Sequence, residues 1–392
     1  MSKCSPMNSD KRQIAVKKET VCGAGATFAV TDFLIRPSDI STEVDMGFQD
    51  DDTLSATMSP SVSTPGKRTS TVKFAGKLVG SGSPANLPEI DAALIGCGMV
   101  SGVIKSISIG AITDGPFIEG ETVTGGTSSA TGIVMRAAYA GDTKLYIRTA
   151  TGTFASTETI TGSVSAAVAT SSSAAVAAGT YYAPSSSSND TVALRDELDG
   201  FYQETDGAVG TFTIAADAAA SFKAEFTFSG KQGEHGDAAM TSPVDRYETA
   251  FPTFRNALCV MDRGLATEFQ PIVKSMSFDY KCDTTMRDDA NEDTGLIAGK
   301  RTKRVPTLVL SVEAMLKADC DVYDKMKQGD ICSIGLCGVS PDSKVALFGQ
   351  KAQITSISPG NKDKVATFDI TYKLTKNSDA GDDEFFIVFI DG

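Results

Sequence analysis

The residues able to do chemistry are few. The chain has one histidine, His235, in the stretch SGKQGEHGDAAM, and no G-x-S-x-G elbow accompanies it. A Ser-His-Asp triad therefore has no support, and a histidine in an exposed Gly-rich loop is expected. The acidic run RDDANEDTG, residues 287–295, places Asp289, Asn291 and Asp293 at the alternating spacing of calcium ligands. Its glycine falls one place late, and Lys300 stands where the last, bidentate glutamate of an EF-hand belongs, so a solvated charged loop is the better reading. A second acidic cluster, FQDDDTL at 48–54, also reads as loop. Paired catalytic carboxylates must face each other across a cleft, which spacing along the chain does not show.

The eight cysteines (Cys4, Cys22, Cys97, Cys259, Cys282, Cys320, Cys332 and Cys337) form no CxxC pair. Free, mostly buried thiols are expected rather than a zinc site or a disulfide framework. There is no P-loop and no G-x-G-x-x-G after a strand. The reading is a chain without enzymatic activity, metal or cofactor, in a binding or structural class.

Net charge is −13 over 392 residues. That argues against a general nucleic-acid-binding surface, which carries a basic stripe. It suits a surface that DNA passes without sticking, because like charges repel. No apolar run reaches the length of a transmembrane helix. The N-terminus, MSKCSPMNSDKRQIAVKKET, lacks the apolar segment of a signal peptide, so synthesis and folding in a cytoplasm are expected.

The elements that must position any site are mostly strands. In SFKAEFTFSGK, Phe222, Ala224, Phe226 and Phe228 alternate with Lys223, Glu225 and Thr227, the pattern of a half-buried antiparallel strand. Two segments read as helix. LPEIDAALIGCGM sets Leu87, Ile90, Leu94 and Cys97 on one face and ends at Gly98. SVEAMLKADCDVYDKMKQGD sets Val312, Met315, Leu316, Tyr323 and Met326 on one stripe and ends at Gly329.

Each predicted helix follows the same preamble: a strand (residues 32–44 or 275–282), a long acidic loop, the tetrapeptide GKRT (66–69 or 299–302), and another strand. A hairpin-rich stretch follows each helix. This order points to a tandem duplication. The first copy is interrupted over 103–180, where composition shifts to Gly, Thr, Ser and Ala. There PFIEGETVTGG is echoed by TFASTETITGS, which reads as a small inserted β-domain at a tolerant surface position.

In this order of phrases the chain resembles the tail tube (major tail) proteins of long-tailed bacteriophages. The resemblance is carried by GAGATFAVTDFLIRPSDISTEVDM, by GKRTSTVKFAGKLVGSGSPANLPEIDAALIGCGM, by the stretch from YYAPSSSSND to AEFTFSGK, and by DDEFFIVFI, and it covers most of the chain outside 103–180. It implies a mainly β fold: tandem tail-tube sandwich or barrel units each flanked by a helix, plus the inserted β-domain. The expected layout is an N-terminal arm at 1–30, a first tube unit at 31–102 and 181–244, an outward-facing insert at 103–180, and a second unit at 245–392. It further implies a structural virion protein, assembled in the host cytoplasm, whose rings stack into a hollow conduit for DNA ejection. The implied partners are other copies of the chain, tape-measure, terminator and distal tail proteins, and passing DNA without specific binding; no membrane is expected. A duplicated unit favours a pseudo-six-fold trimer over a hexamer. An accessory tail part, or an adhesin on the same fold, is the alternative. The two long loops, Met46 to Lys67 and Asp283 to Lys300, exceed plain connections. They are expected to bridge rings through Asp50, Asp51, Asp52, Lys67, Arg68, Asp288, Asp289, Lys300 and Arg301.

Overall fold

The computed structural model describes residues 7–35, 37–51, 59, 61–242, 251–255, 259–262, 268–339, 343–362 and 364–391. Strands make up 55% of it and helices 5%, so the fold is mainly β, as the alternating patterns require. The first part contains β1 (Arg12–Lys18), a 3-10 turn at Val30–Asp32, β2 (Ser38–Asp45), β3 (Thr69–Lys77), α1 (Asp91–Gly96) and β4 (Met99–Ser108). The insert contributes β5 (Thr122–Gly125), β6 (Thr131–Arg136), β7 (Lys144–Thr151), β8 (Thr159–Gly162) and β9 (Val168–Thr170). The chain returns through β10 (Val176–Pro184), β11 (Val192–Leu198), β12 (Phe201–Asp217) and β13 (Lys223–Asp237). The second part runs β14 (Val260–Met261), β15 (Val273–Asp279), β16 (Cys282–Asp288), β17 (Leu296–Arg304), β18 (Thr307–Glu313), α2 (Val322–Gln328), β19 (Ile331–Val339), β20 (Ser343–Lys362), β21 (Val365–Leu374) and β22 (Phe386–Asp391).

Two sets of four strands repeat one order. β2–β3–β13–β12 and β15–β18–β21–β20 are two antiparallel sheets with the same connectivity. The first strand of each carries a bulge near its start, between Ser38 and Ser41 and between Val273 and Ser275. The two sheets join edge to edge where β12 pairs with β15, from Thr213 opposite Asp279 to Asp217 opposite Ser275. A second layer covers them. β12 and β20 are long enough to serve both layers, and each shifts register where it crosses over, at Asp206/Val209 and Ile354/Ser356. In the second layer β1 pairs with β11 and β11 with the first half of β12, while β22 lies between the first half of β20 and β10. All six residues of β22 are buried, so the C-terminal strand is a second seam between the two units.

Between the layers lies one hydrophobic core drawn from both units. Phe226 and Phe228 alternate inward from β13 as their spacing requires, and Phe74 stacks on Phe226 at 5.2 Å. Phe212 of the first unit stacks on Tyr280 of the second at 5.0 Å. Such pairs add about 1 kcal/mol each beyond the area they bury.

Both helices are shorter than their patterns. α1 buries Ile90 at its N-cap, Leu94 within it and Cys97 at its C-cap, but Leu87 points to solvent. The second helical reading needs correction: residues 307–313 are strand β18, with Leu308, Leu310 and Val312 buried in alternation, and Leu316 is exposed. The helix proper starts after Asp321, whose carboxylate accepts the Asp324 N–H at 2.9 Å, and stops at Gly329 with φ +72°. Residues 12–18, assigned from sequence to an N-terminal arm, form a full strand against β11.

The insert has its own core, including Phe117, Val123, Phe154 and Ile160. Its repeated phrase is explained by reciprocal capping. Glu121 accepts the Ile118 N–H of its own repeat, together with Ser165 N–H and the Ser165 hydroxyl of the other. Glu158 likewise accepts Ala155 N–H, Ser128 N–H and the Ser128 hydroxyl. β5 and β8 pair antiparallel between these turns, so the repeats are related by a local two-fold. The insert docks on the second layer: Met135 and Tyr146 pack with Phe348, Phe386 and Val388.

Candidate assembly interface

The charged stretches that sequence assigns to loops come together in one place. Residues 283–300 are not a loop. They form most of a two-stranded hairpin, β16–β17, paired from Cys282 opposite Arg304 to Asp288 opposite Leu296. The hairpin belongs to the second unit by sequence, yet it lies on the first. Its seat is close: a Cβ on Gly299 would stand 2.3 Å from Val209 Cγ2, and Gly207, at φ +58°, faces Ala298. Leu296 and Ala298 are buried beneath it.

Three ion pairs tie the hairpin tip to the first unit. Lys67 Nζ meets Asp288 at 2.5 Å, Arg68 meets Asp293, and Lys231 meets Glu292 at 3.2 Å. Lys67 and Asp288 are both more than half exposed, so their pair contributes alignment rather than much stability. The hairpin base is held more deeply. Arg301 donates to the carbonyls of Gly96 (2.8 Å), Asp190 (3.0 Å) and Ser188 (2.8 Å), capping the C-terminal end of α1. Arg304 is bound by Glu384 at 3.0 Å and by Asp382.

The structure thus brings Lys67, Arg68 and Asp288 into one cluster within the chain. Arg301 is a packing residue rather than an exposed loop cation. Asp289 turns inward on its own loop, accepting from Asn291 N–H and Nδ2, both at 2.9 Å. Lys300 is exposed on β17 and forms no ion pair among the described residues. Asp50 accepts the Ser63 hydroxyl at 2.6 Å, in a shorter hairpin closed by Gln49 opposite Thr64, and Asp51 follows it on exposed backbone. Asp52 lies outside the described residues. His235 is in strand β13 opposite Gln203, not in a loop.

Sequence reading missed a buried acidic knot under the hairpin seat. Glu19 accepts N–H groups from Gly23 (2.9 Å), Gly25 (2.9 Å) and Gly207 (3.0 Å) and the Thr191 hydroxyl (2.5 Å). Asp206 stands beside it with Oδ1 buried and unpartnered. Burial, then the charge of Glu19, pushes the Asp206 carboxyl up to about 6, although Lys231 opposes the rise. Burial, then Asp206, pushes Glu204 up to about 7 against the pull of Arg195. The one sequence clue is the glycine density around these acids, at Gly23, Gly25 and Gly207.

Among the described residues, no three His, Cys, Asp or Glu side chains are arranged to hold a metal ion, and no helix is long and apolar enough to cross a membrane. No protein-family model matches the chain, and no curated protein is similar to it.

Proposed function

We propose that this chain is a structural subunit that polymerises through its sheet edges into rings, and that the stacked rings form the hollow tail tube of a long-tailed bacteriophage. The observation that carries this reading is the β12–β15 joint. It fuses the last strand of one repeat to the first strand of the next. Among the described residues, the counterparts of those two edges are open at the ends of the joined sheet: β2 pairs only with β3, and the second half of β20 only with β21. A repeat that already joins to its twin by an edge has the geometry to join the next copy the same way. A head-to-tail joint of this kind closes into a ring when its rotation permits, and it turns an edge otherwise prone to aggregation into a contact.

The sheet face turned away from the core suits a passage. It carries a shallow groove lined by Asp217, Ser275, Ser277, Ser311 and Asp369 together with Lys77, Lys223 and Lys362. Hydroxyls and charges of both signs, under a net charge of −13, give a polyanion no continuous basic track to grip. The role is architectural, without a catalytic step.

The β12–β15 register can be transferred to the open edges through the matching pairs Phe74–Phe226 and Leu310–Ile370, with Phe212 and Ile357 alongside. It sets Ser358 of one copy opposite Glu43 of the next. Electron microscopy of the purified chain is expected to show stacked hollow rings. Mixed Glu43→Cys and Ser358→Cys single variants are expected to form a covalent dimer under mild oxidation. Single unstacked rings would favour a terminator-like accessory part. Monomers at high concentration, without cross-links, would defeat the reading.

A further inference from the structure

The hairpin on the first unit has a counterpart in the segment that follows β2. The segment Val44–Asp52 aligns without a gap to Cys282–Ala290, matching Asp45 with Asp283, Asp50 with Asp288 and Asp51 with Asp289. The shared GKRT matches Lys67 with Lys300 and Arg68 with Arg301. Both segments leave the first strand of a repeat and return to the second, and both begin as antiparallel hairpins.

Within the chain, the acidic tip contributed by the second repeat sits on the basic base of the first: Asp288 on Lys67, Asp293 on Arg68. It reaches that position because β15 is joined to β12. The first repeat's own acidic segment is carried by β2, whose outer edge is open among the described residues. The corresponding basic base, on the second repeat, ends in Lys300. Arg301 is already committed to three carbonyls, while Lys300 is exposed.

We infer that Lys300 of one copy receives Asp50 of the next, as Lys67 receives Asp288 within a copy, so that this pair is a lateral clasp between neighbours in a ring rather than a bridge between rings. This rests on the edge-joined assembly proposed above. Exposed pairs of this kind add little affinity but steer encounter and fix register, so they show in assembly rate and salt dependence.

Four chains test it: the native protein, Lys300→Glu, Asp50→Lys, and the double reversal. Assembly is followed by light scattering and electron microscopy at low and high salt. Each single reversal is expected to slow assembly about tenfold at low salt, and the double reversal to recover to within about threefold of the native rate. Both sites are exposed, and unchanged thermal unfolding will confirm intact folds. As an independent readout, Asp50→Cys mixed with Lys300→Cys is expected to give a disulfide-linked dimer. Native tubes with unaffected single variants and no cross-link would overturn the clasp and leave the tube reading standing. A native chain that never assembles would overturn both.

Discussion

At the scale of single residues, the acids under the hairpin seat set a pH dependence with an unusual sign. Asp206 and Glu204 have carboxyls raised above their ordinary values, chiefly by burial and then by neighbouring negative charge. Between about pH 4 and the raised values the folded chain holds more protons than the unfolded one, so stability falls as pH rises through that window. Mild acidification from pH 7 to pH 5 is therefore expected to raise the melting temperature. Asp206→Asn removes the buried charge while keeping its shape. It is expected to stabilise the protein at pH 7 by about 1–2 kcal/mol after allowance for solvent screening, and to flatten the slope between pH 5 and 7. Thermal unfolding across that range measures both. A native protein whose stability climbs from pH 5 to 7 would contradict the assignment.

At the scale of elements, alternation made the strands legible and failed where two periods overlapped. Leu308, Leu310 and Val312 fit a strand, yet Val312, Met315 and Leu316 also fit a helical stripe, and only the Asp321 cap marks the true start. The hairpin β16–β17 was hidden because few of its residues are apolar, with Cys282, Leu296 and Ala298 carrying its inward face among long polar neighbours. The charges of the candidate interface were readable one by one, but their pairing was not, since Lys67 and Asp288 are 221 positions apart. The insert shows the opposite case, in which repetition announced the element and packing supplied its reason. Burial tends to raise the Glu158 carboxyl, but hydrogen bonds from Ser128, Ala155 and Thr127 outweigh it and hold it below the ordinary value. That support is present above the unfolded carboxylate value and is lost as pH falls through the folded one. Glu158→Gln is expected to destabilise the insert by about 1–3 kcal/mol, because N–H groups that met a charge meet an amide instead. Limited proteolysis should then cut within 109–175 before the flanking units; cleavage unchanged from the native pattern would show that the cap is dispensable.

At the scale of the whole molecule, the joined sheet sets the bore of any ring it closes. Each copy presents eight strands in sequence from β2 to β20. With strands about 4.8 Å apart and tilted about 40°, the roughly 24 strands of three copies place the backbone on a circle about 48 Å across. Inward side chains reduce this to a bore of about 35–40 Å. Two copies would give a bore on the order of 20 Å, the width of a duplex with no room for its hydration, while six would give one about twice as wide as three. In the proposed tube, three copies would therefore give the ring whose calibre suits DNA passage. In that proposed ring the insert would lie outside, because it packs on the second layer, against Phe348, Phe386 and Val388, rather than on the eight-stranded sheet. Averaged end-on views are expected to show three outer knobs around a bore of that size. Deleting 109–175 with a short Gly-Ser linker should erase the knobs and leave the bore unchanged. Six knobs per ring, or a bore that changes with the deletion, would mean that the duplicated sheet does not line the tube.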